Sequence, residues 1–309
     1  MKKLLCFLLA ACSLHAQVEF KQGDSIAILG NALPDRSQHF GWLETLITQA
    51  NADKDLTFRN LSFSGDEVQT WHRIDNFGTR DEWLAKVKAD VIFAFYGYNE
   101  SFKGYEGIEE FKKNLAKFID DAKAQNYSSK GALRIVLFSP IALQKLANPS
   151  LPPVEEKNTN IQNYTAAMNE VASAKGVTFV DLFQSSAKGL PEGSTLDGLY
   201  ITDSGEKVIA EAAFKALTGK DAPQVNAKLR QAIVAKNWEW HQRYRTVDGY
   251  NVYGGRSGLA YTAGVGVFKQ NERNPEKPYI SNYQTMMQEM TQRDVKTANR
   301  DKRVHAIAK

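Results

Sequence analysis

The chain has 309 residues, 43% apolar and 24% charged, with a formal net charge of +4. These values describe an ordinary globular protein with room for one or two domains and a full core, and exclude a disordered, collagenous or disulfide-scaffold chain. The charge is unevenly placed: residues 17–224 carry 22 Lys/Arg against 28 Asp/Glu, and residues 225–309 carry 15 against 7. A basic tail (net +8) on an acidic body (net −6) predicts that the two dock on each other. The alternative is a separate partner for residues 225–309. A net of +4 does not call for nucleic acid.

Lys2 and Lys3 precede the apolar run Leu4 to Leu14, and Ala16 offers a small residue for cleavage. This pattern predicts a signal peptide over residues 1–16 and an exported protein, periplasmic or secreted. The run is too short to span a bilayer, and no later stretch is long enough. Leu9-Ala10-Ala11-Cys12 allows a second reading, lipid anchoring through Cys12. Both cysteines, Cys6 and Cys12, lie in this segment, so the mature chain is expected to have no disulfide and no thiolate chemistry. The remaining histidines, His39, His72, His241 and His305, show no metal-ligand spacing, and no metal or cofactor is expected.

From Ser25 onward apolar runs alternate with helical periodicity. Five runs read as strands buried on both faces: Ser25–Leu29, Leu56–Leu61, Val91–Tyr96, Arg134–Phe138 and Val177–Leu182. Ile108, Phe111, Leu115, Phe118 and Ala122 form one helical stripe. Ile161, Tyr164, Met168 and Val171 form a second, and Val208, Ile209, Ala212, Ala213 and Leu217 a third. The alternation predicts an α/β fold: a doubly wound, five-stranded parallel sheet in a three-layer sandwich, with its site at the carboxyl ends of the strands. The loop Asn148-Pro149-Ser150-Leu151-Pro152-Pro153 follows the fourth strand and either borders that site or simply connects. Residues 223–309 break the alternation and read as a basic, mainly helical extension of the 17–222 domain. Helices are expected over Asn226–Tyr244 and Ser281–Ala308, with an irregular loop or hairpin over Asp248–Phe268.

The strand ends carry four short blocks. They are Gly30-Asn31-Ala32-Leu33, then Asn60-Leu61-Ser62-Phe63-Ser64-Gly65-Asp66, then Gly97-Tyr98-Asn99-Glu100, and finally Asp197-Gly198-Leu199-Tyr200. In this order, over about residues 22–218, the chain resembles the SGNH, or GDSL-type, hydrolase superfamily, whose fold is a flavodoxin-like sandwich. It is also similar to the exported SGNH-domain proteins of planctomycete-type bacteria. That family carries Gly-Asp-Ser, Asn-x-Gly-x-Ser-Gly-Asp, Gly-x-Asn-Asp and Asp-x-x-His at these places. The resemblance implies ester hydrolysis, often of acylated sugars, by a serine nucleophile, a histidine base and an orienting aspartate. Gly97 and Asn99 match the oxyanion block, and Asp197 matches the triad acid.

Three key places depart from the family. Ala32 stands where the serine belongs, with Asn31 before it. Ser62 replaces the oxyanion glycine, and Tyr200 replaces the histidine. An alanine methyl cannot attack, and a tyrosine of ordinary pKa, about 10, is a poor base at neutral pH. The expectation is weak or absent serine-esterase activity, with Asn31, Ala32, Ser62, Asn99, Asp197 and Tyr200 binding a small-molecule or glycan ligand. A literal Gly23-Asp24-Ser25 precedes the first strand, which puts Ser25 ~15 Å from the carboxyl edge by strand rise. The alternative is an active esterase pairing Ser25, Ser62 or Ser64 with His39, His72 or His241. Asp66 and Glu67 are expected to cap a helix after the second block, and Glu100 to cap a turn.

Overall fold

A computed structural model describes residues 18–74, 76–246, 248–259 and 280–309. The expected signal peptide, with Cys6 and Cys12, lies outside the described residues, as do residues 260–268 of the Asp248–Phe268 stretch. Five parallel strands form one sheet: β1 (Ser25–Gly30), β2 (Thr57–Asn60), β3 (Val91–Phe95), β4 (Arg134–Phe138) and β5 (Thr178–Val180), in the order β2-β1-β3-β4-β5. This is the flavodoxin-like doubly wound arrangement predicted from the alternation. The central strand β3 is buried at every position, which is why its sequence, VIFAF, is apolar without alternation.

Helices cover both faces. They are α1 (Ala32–Ser37), α2 (Trp42–Ala50), α3 (Arg80–Lys86), α4 (Ile108–Ala124), α5 (Glu155–Lys175), α6 (Leu182–Ala187) and α7 (Asp203–Thr218). The apolar stripes place Leu115, Phe118 and Tyr164 in one core layer, with Ile92 and Leu137 of the sheet. Ile209, Ala213 and Leu217 lie in the other, with Phe93 and Val136. The alternation of inward-facing residues along each strand divides the two layers. The described residues of 65–79 form no helix, so Asp66 and Glu67 cap nothing there. The next helix, α3, starts instead at Thr79, whose hydroxyl accepts the Glu82 amide in a reciprocal capping box.

The extension contributes α8 (Ala227–Arg245), the one-turn α9 (Gly249–Val252) and α10 (Asn282–Ala308). The helix α8 is not peripheral: Trp240 and Tyr244 join the same apolar layer as Trp83 and Leu84. Its cations meet body carboxylates. Lys236 Nζ lies 2.6 Å from Glu44 with both side chains buried, Arg230 lies 2.7 Å from Asp203, and Arg245 lies 3.1 Å from Asp35. From the body, Arg59 pairs with Asp301 of α10. The basic tail therefore docks on the acidic body, as the charge asymmetry predicted.

Candidate functional site

The first block leaves the sheet at Gly30. Its φ is +137°, and a Cβ there would lie 2.2 Å from the Phe95 carbonyl oxygen, so only glycine lets β1 end against β3. Asn31 follows, and Ala32 opens α1. Chain order and strand polarity thus set Ala32 just past the carboxyl end of β1, while Ser25 opens the same strand at the opposite edge. The Ser25 hydroxyl donates to the Val87 carbonyl at 2.7 Å.

The second block is folded tightly onto the first. Phe63 N–H donates to Gly30 O at 3.0 Å, and Ser62 N–H to Asn60 Oδ1 at 2.9 Å. Asn60 Nδ2 in turn donates to Pro34 O at 2.8 Å. The Ser64 hydroxyl donates to Asp35 Oδ2 at 2.8 Å. Asp66 forms a buried bidentate pair with Arg73, each contact 2.9 Å. The Arg73 guanidinium also lies 3.9 Å from the Trp71 ring centroid and 4.8 Å from that of Phe63. From α8, Tyr244 donates its hydroxyl to Leu61 O at 2.9 Å, and Arg245 lies over Phe63 at 4.0 Å.

The third block ties the second to β3. Glu100 accepts from Gly97 N–H at 2.8 Å and Val68 N–H at 2.9 Å, and burial pushes its pKa up to about 7. It is a brace between two loops rather than the cap of one turn. Asn99 Nδ2 donates to Ser64 O at 3.2 Å and Asp66 O at 3.1 Å, so its amide faces the second block. In the fourth block Asp197 Oδ1 accepts from Leu199 N–H at 3.0 Å and Tyr200 N–H at 2.7 Å, closing its own turn. The Tyr200 ring lies 5.4 Å from the Arg36 guanidinium of α1, and Arg36 Nε donates to Ile201 O at 3.1 Å.

The four blocks therefore meet at one end of the sheet, but their side chains divide into two groups. Asn31, Ala32 and Ser62 are buried, at 4%, 6% and 1% exposure. Asp197 lines an open cleft of about 390 Å³ with Tyr98, Leu143, Gln144, Asn148, Pro152 and Leu199. The proline-rich loop thus borders this cleft. Tyr98, the unspecified position of the third block, forms part of its wall. Burial first, then the nearby Asp197 and Tyr200, push its phenol up to about 12, so the hydroxyl stays protonated and can donate. Tyr98 carries no signal in the sequence, because the block pattern leaves that position open.

None of the three candidate serines is bonded to an imidazole among the described residues. Ser62 Oγ reaches only the Ile28 carbonyl, at 3.5 Å. His72 is exposed beside Gly65. His39 and His241 face each other edge-to-face at 4.9 Å between centroids. Burial lowers the pKa of both, that of His241 to about 4. No group of three or more potential metal-ligating His, Cys, Asp or Glu side chains occurs among the described residues. No described helix is long and apolar enough to cross a membrane.

Comparison with known proteins agrees with this architecture. Residues 22–208 match the model of the GDSL-like lipase/acylhydrolase family. A GDSL-like lipase from Parabacteroides merdae superposes with a TM-score of 0.50 at 15% identity, covering 66% of this chain and 100% of that one. An acetylxylan esterase from Geobacillus stearothermophilus superposes with a TM-score of 0.51 at 15% identity, covering 67% and 100%. At these identities the likeness establishes the fold. No curated protein sequence matches the chain. With the family model covering more than half of its length, the chain belongs to the GDSL-like lipase/acylhydrolase family.

Proposed function

We propose that this chain is an exported, catalytically silent member of its family that binds an acylated carbohydrate. The observation that carries the reading is Ala32 at the carboxyl end of β1, the place that the family pattern gives to the attacking serine. Two further features support it. Asp197 has a tyrosine three residues on instead of an imidazole, and its carboxylate is engaged by its own turn. Asn99, the match to the oxyanion asparagine, gives its amide to the Ser64 and Asp66 carbonyls.

The cleft beside these residues supplies the ligand chemistry. Its walls pair a tyrosine, leucines and prolines with amide and carboxylate groups, the mixture that suits a sugar ring with an attached acyl group. Phe102 packs edge-to-face on Tyr98 at 5.3 Å between centroids and is itself 63% exposed, extending the aromatic surface outward. Asn31, Ala32 and Ser62 are buried and do not line this cleft.

The test combines catalysis and binding. The purified chain is expected to hydrolyse p-nitrophenyl acetate no faster than a denatured control. Titration calorimetry with acetylated xylo-oligosaccharides is expected to show saturable binding that Tyr98→Ala weakens roughly tenfold. Turnover abolished by a single Ser→Ala substitution would overturn the proposal, as would the absence of any binding.

A further inference from the structure

At the opposite edge of the sheet a second cleft, also of about 390 Å³, lies between the amino ends of β1 and β2, the end of α3, and the extension helices α8 and α10. That volume falls within the roughly 300–1,000 Å³ of small-molecule sites. Its lining is charge-inverted relative to the rest of the molecule. The acidic body contributes Arg59, Lys86, Lys88 and Lys130, and the basic extension contributes the carboxylate Asp294.

The local pairing leaves positive charge over. Arg59 is held by Asp301, and Lys130 lies 3.3 Å from Asp90. Asp294 accepts from Arg243 Nε at 3.0 Å. Arg243 is 1% exposed, and its Nη1 has no partner among the described residues. Its guanidinium and the Lys86 ammonium share the Trp83 ring, at 5.4 Å and 4.6 Å from the centroid. Lys86 and Lys88 have no salt bridge among the described residues. Five cations thus meet three carboxylates, a surplus of two. Lys86 and Lys88 line the cleft without a carboxylate partner and favour a dianion placed against them, while Arg243 lies behind the lining, held by Asp294.

We propose that this cleft binds a phosphate monoester carried on a small polyol or sugar. The two excess charges match a dianionic phosphate. The cleft is larger than a bare phosphate needs, and in its lining the Thr57 hydroxyl and the Ser25 oxygen, whose proton goes to Val87 O, offer partners to an attached polyol. The site is separate from the carboxyl-end cleft and does not depend on the esterase question.

The test is calorimetric titration of the full chain at low salt with glucose 6-phosphate, inorganic phosphate and glucose. Saturable binding of glucose 6-phosphate is expected, weaker binding of phosphate, and none of glucose, with affinity falling as sodium chloride is raised. The double variant Lys86→Gln/Lys88→Gln is expected to lose roughly tenfold or more in affinity. The distant Lys220→Gln is expected to bind like the native chain. Lys220→Gln should melt at the native temperature and the double variant within a few degrees of it, since all three lysines are exposed and only the contact of Lys86 with the Trp83 ring is lost. No saturable binding, equal affinity for glucose 6-phosphate and inorganic phosphate, or equal losses in the two variants would overturn the proposal.

Discussion

Replacing Lys236 by methionine tests whether α8 is part of the fold or an attachment to it. The Lys236 ammonium is 2.6 Å from Glu44 Oε1, and Asn237 Nδ2 donates to Oε2 at 3.0 Å. Both ionic side chains are buried, Lys236 at 1% exposure and Glu44 at 8%. Lys236→Met keeps the volume and removes the charge, leaving the carboxylate with one neutral amide in a site closed to water. Removing one partner of such a pair costs about 3–5 kcal/mol, whereas an exposed pair is worth about 0–1 kcal/mol. Urea denaturation at pH 7, followed by circular dichroism, is expected to show a loss in the larger range, with a fall in melting temperature on the order of 10 °C. The double variant Lys236→Met/Glu44→Gln should recover most of that loss, because the uncompensated charge is gone. A single-variant loss below about 1 kcal/mol would refute the argument, since it would mean that water reaches Glu44 and α8 is not docked.

Three further predictions concern groups whose burial is unusual. Burial pushes Glu206 up to about 8, although it accepts the Trp42 amide at 3.2 Å and so caps α2 from a distance. With the folded pKa above the unfolded value, ionisation opposes folding. Stability should therefore fall between about pH 4.5 and 8, and Glu206→Gln should gain a few kcal/mol relative to the native chain from pH 5 to pH 9, read by urea midpoints. His241, pushed down to about 4, works at the acid side: its folded pKa is below the unfolded one, so stability present above about pH 6.5 is lost as pH falls toward 4. His241→Gln should remove about 1 kcal/mol of the acid sensitivity measured between pH 7 and pH 5. Tyr244→Phe removes the hydroxyl that bridges Leu61 O and Arg73, and should cost about 1–2 kcal/mol in the same assay.

The strands were legible because burial on both faces writes itself as unbroken apolar runs. Arg134–Phe138 matches β4 at both ends, and Ser25–Leu29 falls one residue short of β1. The long amphipathic helices α4, α5 and α7 were legible from their stripes. Short elements were not: α3 and α6 are held by a cap and by tertiary contacts, which a periodicity of one or two turns cannot reveal. The turn order placed Ala32 correctly at the end of β1, because a strand must be crossed before its carboxyl end is reached. Side-chain direction was the part that spacing could not give. Asp66 reads as a helix cap in the sequence, yet it holds Arg73, seven residues on and buried among aromatic rings. Asn31 and Ser62 read as ligand contacts, and the structure buries both where the second block closes on the first, a burial that spacing could not give.

The central claim of the proposed function is that none of Ser25, Ser62 and Ser64 is set up to attack an ester. Incubation with a fluorophosphonate, followed by peptide mapping in a mass spectrometer, addresses it directly. The account predicts an unmodified chain after prolonged exposure, with Ser25, Ser62 and Ser64 all recovered intact. A stoichiometric adduct on any one of them, lost when the protein is first denatured, would contradict it.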